Sequence, residues 1–345
     1  MNLPDTIDDV AALEELLSRP TEAAVDALRQ IQGDILVLGV GGKMGPTLAR
    51  MARRAADEAG GPPRRIIGVA RFSSGSLQEE LGAVGVETIR CDLLDRDALA
   101  RLPDAPNVIY MAARKFGSTG QASLTWAMNC LLPGLVFYKY RRSRIAAFST
   151  GNVYPLTPAD GGGARESDPL GPIGEYAMSA LGRERIYEHM SGQYGIPLAI
   201  LRLNYAHELR YSVTVDIARQ IQQGRPIDVT MGYYNALWQG DANAMTLAAL
   251  AHAASPPFVV NLVGPETLSV RRVASAIARQ MGLPVAFRGS AAPDALLSNA
   301  ERCLQTFGRP TVSADQIIRW TSDWTRRGGA TLDKPTHFEV RDGKY

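Results

Sequence analysis

The sequence predicts an α/β protein with a doubly wound parallel sheet, a smaller C-terminal α/β substrate lobe and an N-terminal helical extension. Two observations support this fold class. Short apolar runs alternate with segments of helical periodicity through residues 33–204, a pattern typical of repeated β-α-β units with parallel strands. The first apolar run also ends in a cluster of glycines and leads directly into a helix.

The chain divides into three predicted units, an extension, a sheet domain and a lobe interleaved with it, at 1–32, 33–204 and 205–345. In the extension, apolar residues of 7–17 share one helical face, and Pro20 ends that helix. Thr21 is placed to cap a second helix that runs to Gln30. Because both helices precede the first strand, we expect them to pack on the body as an addition.

Strands are predicted at short apolar runs bounded by turn residues, namely 34–38, 65–70, 86–90, 107–111, 144–149, 197–202, 227–231 and 259–262. Helices are predicted from a 3.6-residue periodicity at 46–58, about 121–141, 175–192, 213–222, 242–254 and 269–281. Asp241 has the position of an N-cap for the helix at 242–254. The C-terminal end is predicted to be rich in turns.

Composition excludes several classes of protein. The net charge is only +2, so the sequence does not predict the strongly positive electrostatic potential that nucleic-acid binding requires. Cys91, Cys130 and Cys303 are far apart and odd in number, which indicates neither a disulfide framework nor a metal site. With no apolar run of about 18 residues and no signal-peptide pattern, we expect no membrane association and a cytoplasmic location.

The most specific feature is the G-V-G-G-K-M-G loop between the first predicted strand and helix. Gly39 permits a tight turn, Gly42 lets the backbone approach a pyrophosphate, and Gly45 lets helix and strand pack closely. The amide groups around Lys43 and Met44 then face the phosphates at the positive end of a helix. This context predicts a Rossmann-type dinucleotide-binding domain. The loop lacks the Gly-Lys-Ser/Thr ending of a P-loop, which disfavours ATP hydrolysis.

The turn after the second predicted strand bears on the choice of cofactor. It reads A-R-F-S-S and contains no acidic residue, the type that binds the adenosine ribose hydroxyls of NAD. Arg71, with Ser73 and Ser74, suits a 2′-phosphate instead. We therefore predict NADP, with NAD as an open alternative. Arg71 also fits a solvated arginine at a strand end.

Further motifs resemble the extended short-chain dehydrogenase/reductases, the NAD(P)-dependent epimerase/dehydratase family, over about residues 35–320. C-D-L-L-D at 91–95 is similar to its D-L-x-D element, and M-A-A at 111–113 to its H-x-A-A segment, with Met in place of His. F-S-T-G-N-V-Y at 148–154 resembles F-S-S-x-x-V-Y-G, and Y-A-M-S at 176–179 resembles the Y-x-x-S-K helix. The resemblance implies cofactor-lining roles for Asp92, Leu93, Met111, Ala112, Ala113, Asn129 and Tyr176.

The resemblance also implies a catalytic pair. Counted back from Tyr154, Thr150 has the family's Ser/Thr position, and Tyr176 has that of its tyrosine. The pair would hydrogen-bond a substrate hydroxyl or carbonyl group. Tyr176 would transfer the proton while nicotinamide exchanges the hydride.

One departure from the family pattern affects this chemistry. The family's Y-x-x-x-K motif places a lysine one helical turn after the tyrosine, where this chain has Ala180. That lysine binds the nicotinamide ribose and lowers the tyrosine pKa, which is about 10 in a free side chain. Two cations are candidate substitutes: Lys115, at the end of the fourth predicted strand, which we favour, and Arg183. A solvated loop lysine and a solvated helix-face arginine are the structural alternatives.

Candidate substrate contacts lie near the predicted junction with the lobe. The family's L-R-x-x-N-x-x-G motif is altered at 201–207, where Asn204 comes one place early and no glycine follows. An aromatic and polar segment at 231–241 occupies the part of the chain with which the family holds substrate. The predicted contacts, each with a packing role as the alternative, are Tyr154, His207, Tyr233 and Trp238.

These features predict an NAD(P)-dependent epimerase, dehydratase or dehydrogenase that acts by hydride transfer on a sugar, nucleotide-sugar or similar polyhydroxylated substrate. The alternative is a catalytically silent NADP-binding sensor or scaffold, which Ala180 favours. A third, a nucleoside-binding protein such as a methyltransferase, is weakened by the Thr150 and Tyr176 elements. The resemblance also implies a homodimer through helices 121–141 and 175–192, with apolar residues such as Leu131, Leu132, Leu181 and Ile186.

Overall fold

The computed structural model describes residues 3–73, 75–115 and 120–344, so Ser74 of the predicted adenosine-side turn lies outside it. The strands are β1 (Ile35–Leu38), β2 (Ile66–Ala70), β3 (Glu87–Arg90), β4 (Asn107–Tyr110), β5 (Arg144–Thr150), β6 (Thr157–Pro158), β7 (Leu198–Leu203), β8 (Ala206–His207), β9 (Ile227–Asp228), β10 (Tyr233–Tyr234), β11 (Leu237–Trp238), β12 (Phe258–Leu262), β13 (Leu268–Ser269), β14 (Phe287–Arg288) and β15 (Asp294–Ala295).

The α-helices are α1 (Val10–Leu17), α2 (Glu22–Gln30), α3 (Gly45–Ala59), α4 (Leu77–Ala83), α5 (Arg96–Arg101), α6 (Ala122–Trp126), α7 (Leu132–Lys139), α8 (Gly174–Tyr194), α9 (Val213–Gln222), α10 (Gln239–His252), α11 (Val270–Met281), α12 (Glu301–Phe307) and α13 (Ala314–Arg326). A π-helical turn, Ala127–Leu131, joins α6 to α7. Over the described ranges, none of these helices is both long and apolar enough to cross a bilayer.

A seven-stranded parallel sheet in the order β12-β7-β5-β4-β1-β2-β3 forms the centre of the protein. The chain order reverses between β1 and β4, which confirms the doubly wound prediction. Both of these strands are buried along their whole length, as expected for strands covered by helices on both faces. Their carboxyl ends meet at the topological switch point, where open α/β sheets bind ligands.

The lobe returns to the sheet after leaving it. β12 pairs with β7 from Phe258 opposite Ala199 to Leu262 opposite Leu203. α10 packs against β5 and β7 on one face of the sheet. The lobe and the sheet domain are therefore built from interleaved parts of the chain. The strand expected at 227–231 is reduced to β9, which pairs with β14.

The two N-terminal helices form at their predicted positions, and Asp9 and Thr21 cap them. α2 packs on α10 and α3. The carboxylate of Glu14 accepts hydrogen bonds from Arg50 Nη1 at 2.7 Å and Arg210 Nη1 at 3.0 Å. Because Arg50 lies on α3 and Arg210 in the lobe, the extension connects the sheet domain to the lobe.

Two expectations for the C-terminal part are wrong. Asp241 lies inside α10 and does not cap it; its buried carboxylate accepts hydrogen bonds from the N–H groups of Thr311 and Val312, at 3.0 and 3.2 Å. The C-terminal end also contains α13, which buries Trp320 and Trp324 against the lobe. Both errors arise because the partners are distant in sequence, whereas capping and turn patterns are local.

A buried ion pair fixes α8 against the sheet. Arg202 Nη2 on β7 lies 2.7 Å from Glu184 Oε2 on α8, with side chains 4% and 0% exposed. Arg202 Nη1 also donates to the Tyr154 hydroxyl at 2.7 Å, and Glu184 accepts a hydrogen bond from Ser149. The orientation of α8, which carries Tyr176, therefore depends on this pair.

Replacement Arg202→Met should lower the free energy of unfolding by about 3–5 kcal/mol, because it leaves the Glu184 carboxylate buried without its cation. Urea denaturation measures this change. Arg185→Met on the same helix is the control: Arg185 pairs with Glu188 at the surface, and such pairs contribute about 0–1 kcal/mol. Equal effects of the two replacements would contradict the prediction.

Candidate active site

The glycine loop forms the turn between β1 and α3. A Cβ at Gly45 would lie 2.2 Å from Val40 O, and a Cβ at Gly39, whose φ is 96°, would lie 2.8 Å from Ala112 N. The nearest atom to a Cβ at Gly42 is the Gly39 carbonyl oxygen at 3.4 Å, so the middle of the loop is open to an approaching group. The N-cap residue of α3 makes no side-chain capping hydrogen bond. This cradle fits a diphosphate held by backbone N–H groups.

Lys43 extends from this loop into the cleft between the sheet domain and the lobe. Its Nζ lies 3.0 Å from the centroid of the Tyr211 ring, in a cation–π contact. Burial, followed by the positive charges of Lys334 and Lys115, lowers the pKa of Lys43 to about 7. The ammonium groups of Lys334 and Lys115, from two other segments of the chain, thus lie within electrostatic range of Lys43. An anion bound there would be attracted by all of them.

The adenosine-side residues stand at the ends of neighbouring strands. Ala70 of β2 is paired with Arg90 of β3. Arg71 follows β2 and Asp92 lies just beyond β3, and both are exposed. The Asp92 carboxylate accepts a hydrogen bond from Leu94 N at 3.0 Å. The structure therefore brings two predicted cofactor contacts to adjacent strand ends.

Asn129, buried in the π-helical turn, joins two parts of the site. Its side-chain amide bonds to both the N–H and the C=O of Arg114, at 2.9 and 3.0 Å. It also donates to Ser179 Oγ at 2.9 Å, and Ser179 donates to the Tyr176 carbonyl at 2.8 Å. One side chain thus fixes the helix of Tyr176 relative to the segment after β4. That segment holds the predicted cofactor-lining residues Met111, Ala112 and Ala113, and Lys115.

The predicted catalytic residues lie at the carboxyl edge of the sheet. Thr150 ends β5, and its Oγ1 donates to Asn152 Oδ1 at 3.0 Å. Tyr176 is buried in the first turn of α8, and Lys115 Nζ lies 5.6 Å from the centroid of its ring. Burial lowers the pKa of Lys115 to about 8, so the amine is still mainly protonated at pH 7. A cation therefore stands beside the tyrosine.

The position of the family's lysine is closed by packing. Ala180 is fully buried and contacts Val153 and Tyr154. The other candidate cation, Arg183, is 2% exposed, so the expectation of a solvated helix-face arginine is wrong. Arg183 lies in the interior, within electrostatic reach of several tyrosines that include Tyr176. Of the two candidates, Lys115 is the one that stands in cation–π geometry with the Tyr176 ring.

The predicted substrate contacts are not brought together at the cleft. Tyr154, His207 and Trp238 are at most 2% exposed. The ring of His207 stacks on that of Tyr234 with centroids 5.7 Å apart, and burial lowers the pKa of His207 to about 4. Packing in the core thus replaces the substrate contact expected of these three residues. Tyr233 is half-buried in β10.

Sequence reasoning missed two residues of the cleft, Tyr211 and Lys334. Tyr211 directly precedes Ser212, the N-cap of α9. An aromatic residue before a serine cap is too common a pattern to indicate a site. Its contact with Lys43 joins segments far apart in the chain, so it exists only once the lobe has folded onto the sheet domain.

The chain belongs to the NAD-dependent epimerase/dehydratase family, whose model matches residues 35–239. The fold is similar to that of UDP-glucuronic acid 4-epimerase from Bacillus cereus, with 18% identity and a TM-score of 0.69 over 85% of this chain and 99% of that chain. It is also similar to dTDP-glucose 4,6-dehydratase from Bacillus anthracis in complex with NAD, with 16% identity and a TM-score of 0.72 over 86% and 97% of the two chains.

UDP-glucose 4-epimerase from Thermotoga maritima is a third similar structure, with 17% identity and a TM-score of 0.69 over 86% of this chain and 99% of that chain. At sequence identities this low, the structural similarity establishes the fold of this chain alone. A comparison with curated proteins finds no match.

The affinity for the reduced nicotinamide dinucleotide, NADH or NADPH, should decrease between pH 6.5 and pH 9, by roughly tenfold. A bound diphosphate favours the protonated form of Lys43, whose pKa is about 7 in the free protein. The contribution of Lys43 is therefore complete below pH 7 and is lost as the pH rises above it. Lys334, Lys115, Asp216 and Glu208 are the charged groups that act on Lys43.

Fluorescence titration at each pH measures this change. Lys43→Gln should bind weakly at pH 6.5 and lose much of the pH dependence. Lys139→Gln, which removes a lysine paired with Asp104 at the surface, should behave like the unaltered protein. A pH dependence equally steep in Lys43→Gln would show that Lys43 is not its source.

Proposed function

We propose that the protein is an NADP-dependent epimerase, dehydratase or dehydrogenase that acts on a sugar or nucleotide-sugar by hydride transfer at a carbinol carbon. The observation that carries this proposal is the placement of Lys115 5.6 Å from the ring of buried Tyr176, at the switch point that also holds the glycine cradle. Family membership and neighbours that act on nucleotide-sugars support the substrate class.

The protein's part in the reaction is to hold and move a proton. When bound, the cofactor supplies hydride acceptance and donation at its nicotinamide ring. Thr150 Oγ1 positions the reacting hydroxyl group by a hydrogen bond, and Tyr176 Oη accepts its proton or returns it. Lys115 places a positive charge 5.6 Å from the centroid of the Tyr176 ring during this transfer. The burial of Tyr176 excludes bulk water from the proton transfer.

A second candidate is a silent NADP-binding sensor or scaffold of the same fold. The complete burial of Ala180 favours it, because packing leaves the position without a catalytic lysine. The two candidates differ in turnover. Incubation with NADP and nucleotide-sugars, followed by chromatography or NMR of the products, tests them. Intact cofactor binding without any product would support the sensor.

Tyr176→Phe should lower kcat by about 10²–10⁴-fold, because it removes the proton-transferring hydroxyl, while the affinity for NADPH stays unchanged. Steady-state kinetics and a cofactor titration measure the two quantities. Tyr194→Phe, at the exposed end of the same helix, is the matched control and should retain full activity. Full turnover in Tyr176→Phe would remove the tyrosine from the mechanism.

NADP should bind more tightly than NAD, and Arg71→Ser should reduce this preference. Arg71 is exposed at the end of β2, and the sequence A-R-F-S-S at this turn contains no acidic residue that would repel a 2′-phosphate. We expect a loss of about tenfold in NADP affinity and no change for NAD. Calorimetry with both cofactors measures the ratio, with Arg101→Ser on the exposed surface of α5 as control. An equal loss for both cofactors would contradict the assignment.

We also propose a homodimer through α6, α7 and α8. Leu131, which is 57% exposed, ends the π-helical turn between α6 and α7. Tyr138 on α7 is 56% exposed, and Met178 on α8 is 40% exposed. Leu132, by contrast, is buried in the core of the subunit. Large apolar side chains exposed on neighbouring helices are typical of a surface covered by a partner.

A further inference from the structure

The last part of the chain, residues 330–344, is termed here the C-terminal strap. Its first half is held on the lobe beside α9. Leu332 N donates to Arg210 O at 3.0 Å, and Asp333 lies 3.0 Å from Arg219 Nη1. Thr336 donates its N–H and its hydroxyl group to the carboxylate of Asp216, at 2.7 and 2.6 Å.

The second half of the strap crosses to the helix of Tyr176. Phe338 is buried in the core of the lobe. Further along, Arg341 Nη1 donates to Asp294 O at 2.9 Å. Gly343 then packs so closely on the start of α8 that a Cβ there would lie 2.2 Å from Ile173 O. The strap therefore spans the cleft from α9 to the first turn of the catalytic helix.

Lys334 lies on the strap between its contacts with α9. The strap residue Leu332 bonds to Arg210, the residue before Tyr211, and the Tyr211 ring lies beneath Lys43 Nζ. Asp333 and Thr336, on either side of Lys334, are bonded to Arg219 and Asp216 of α9. The segment that carries Lys334 is thus held beside Arg210 and Tyr211, which contacts Lys43 of the glycine loop, although Lys334 is far from that loop in sequence and lies outside the matched residues 35–239.

We propose that Lys334 is a further cofactor-binding residue, which joins Lys43 at the diphosphate of the dinucleotide, and that the C-terminal strap retains the bound cofactor in the cleft. The ligand chemistry is a diphosphate, for which point-charge ammonium groups are suited. The cofactor is its source because Lys43 belongs to the loop whose N–H groups face that diphosphate. The inference rests on the proposed function.

Retention follows from the way in which the strap is attached. Lys334 is exposed, so its own contact with a phosphate is accessible to salt and moderate in strength. The hydrogen bonds of buried Thr336 to Asp216 of α9 hold the neighbouring backbone in place. Release of the cofactor then requires the strap to move away from Asp216, which slows dissociation.

The test uses the full chain and measures the Kd of NADPH by fluorescence and its dissociation rate by stopped-flow displacement. Lys334→Gln should raise the Kd about tenfold. Lys344→Gln removes another strap lysine, which is exposed and paired with Asp342, and should leave the Kd unchanged. Thr336→Val should accelerate dissociation about fivefold through the lost hydroxyl bond, and Thr336→Ser should restore the slow rate.

Binding of UDP to the same variants separates the two sources of a diphosphate. Unchanged UDP affinity in Lys334→Gln, together with weaker NADPH binding, supports the proposal. Loss of UDP affinity with unchanged NADPH affinity overturns it and assigns Lys334 to the substrate. Equal NADPH affinity in Lys334→Gln and the unaltered protein also overturns it. If the unaltered protein itself binds no NADPH, the proposed function fails, and that result is distinct from a failure of Lys334 alone.

Discussion

The structure depends on the close packing of the glycine loop after β1. The loop packs against the segment that follows β4 and against the start of α3. A side chain at Gly39 would collide with the backbone of Ala112, and one at Gly45 would collide with Val40 O. Because both positions lack a Cβ, α3 starts immediately behind the sheet and its first N–H groups face the switch point. The open middle of the loop and its position at the switch point follow from this packing.

Positive charges reach the cleft from segments other than α8. Ala180, at the position of the family's lysine, lies in a buried cluster with Tyr154. Lys115 approaches Tyr176 from the end of β4, and the Asn129 amide holds that strand end in place through Arg114. A positive charge acts on a neighbouring side chain through space, so any strand or helix close to that side chain can supply it.

Segments outside the family match connect the parts of the site to one another. Glu14 of the N-terminal extension bonds to Arg50 on α3 and to Arg210 in the lobe. Arg210 in turn is bonded to the strap through Leu332. The contact between Lys43 and Tyr211 lies within this frame. The two ends of the chain therefore constrain the relative position of the glycine loop and the lobe, which in a Rossmann protein with a substrate lobe determines the width of the cleft.

The sequence by itself determined the alternation of strands and helices and the position of the glycine loop, because strand and helix periodicity and the spacing of Gly39, Gly42 and Gly45 are local properties. It also predicted Thr150 and Tyr176 as a catalytic pair. The tertiary structure decided the features that depend on distant partners. It placed Asp241 inside a helix and made the C-terminal end a strap. It also buried His207 in the core and brought Lys115 to the Tyr176 ring. Burial and charge proximity arise from packing between segments far apart in the chain, and no local pattern encodes them.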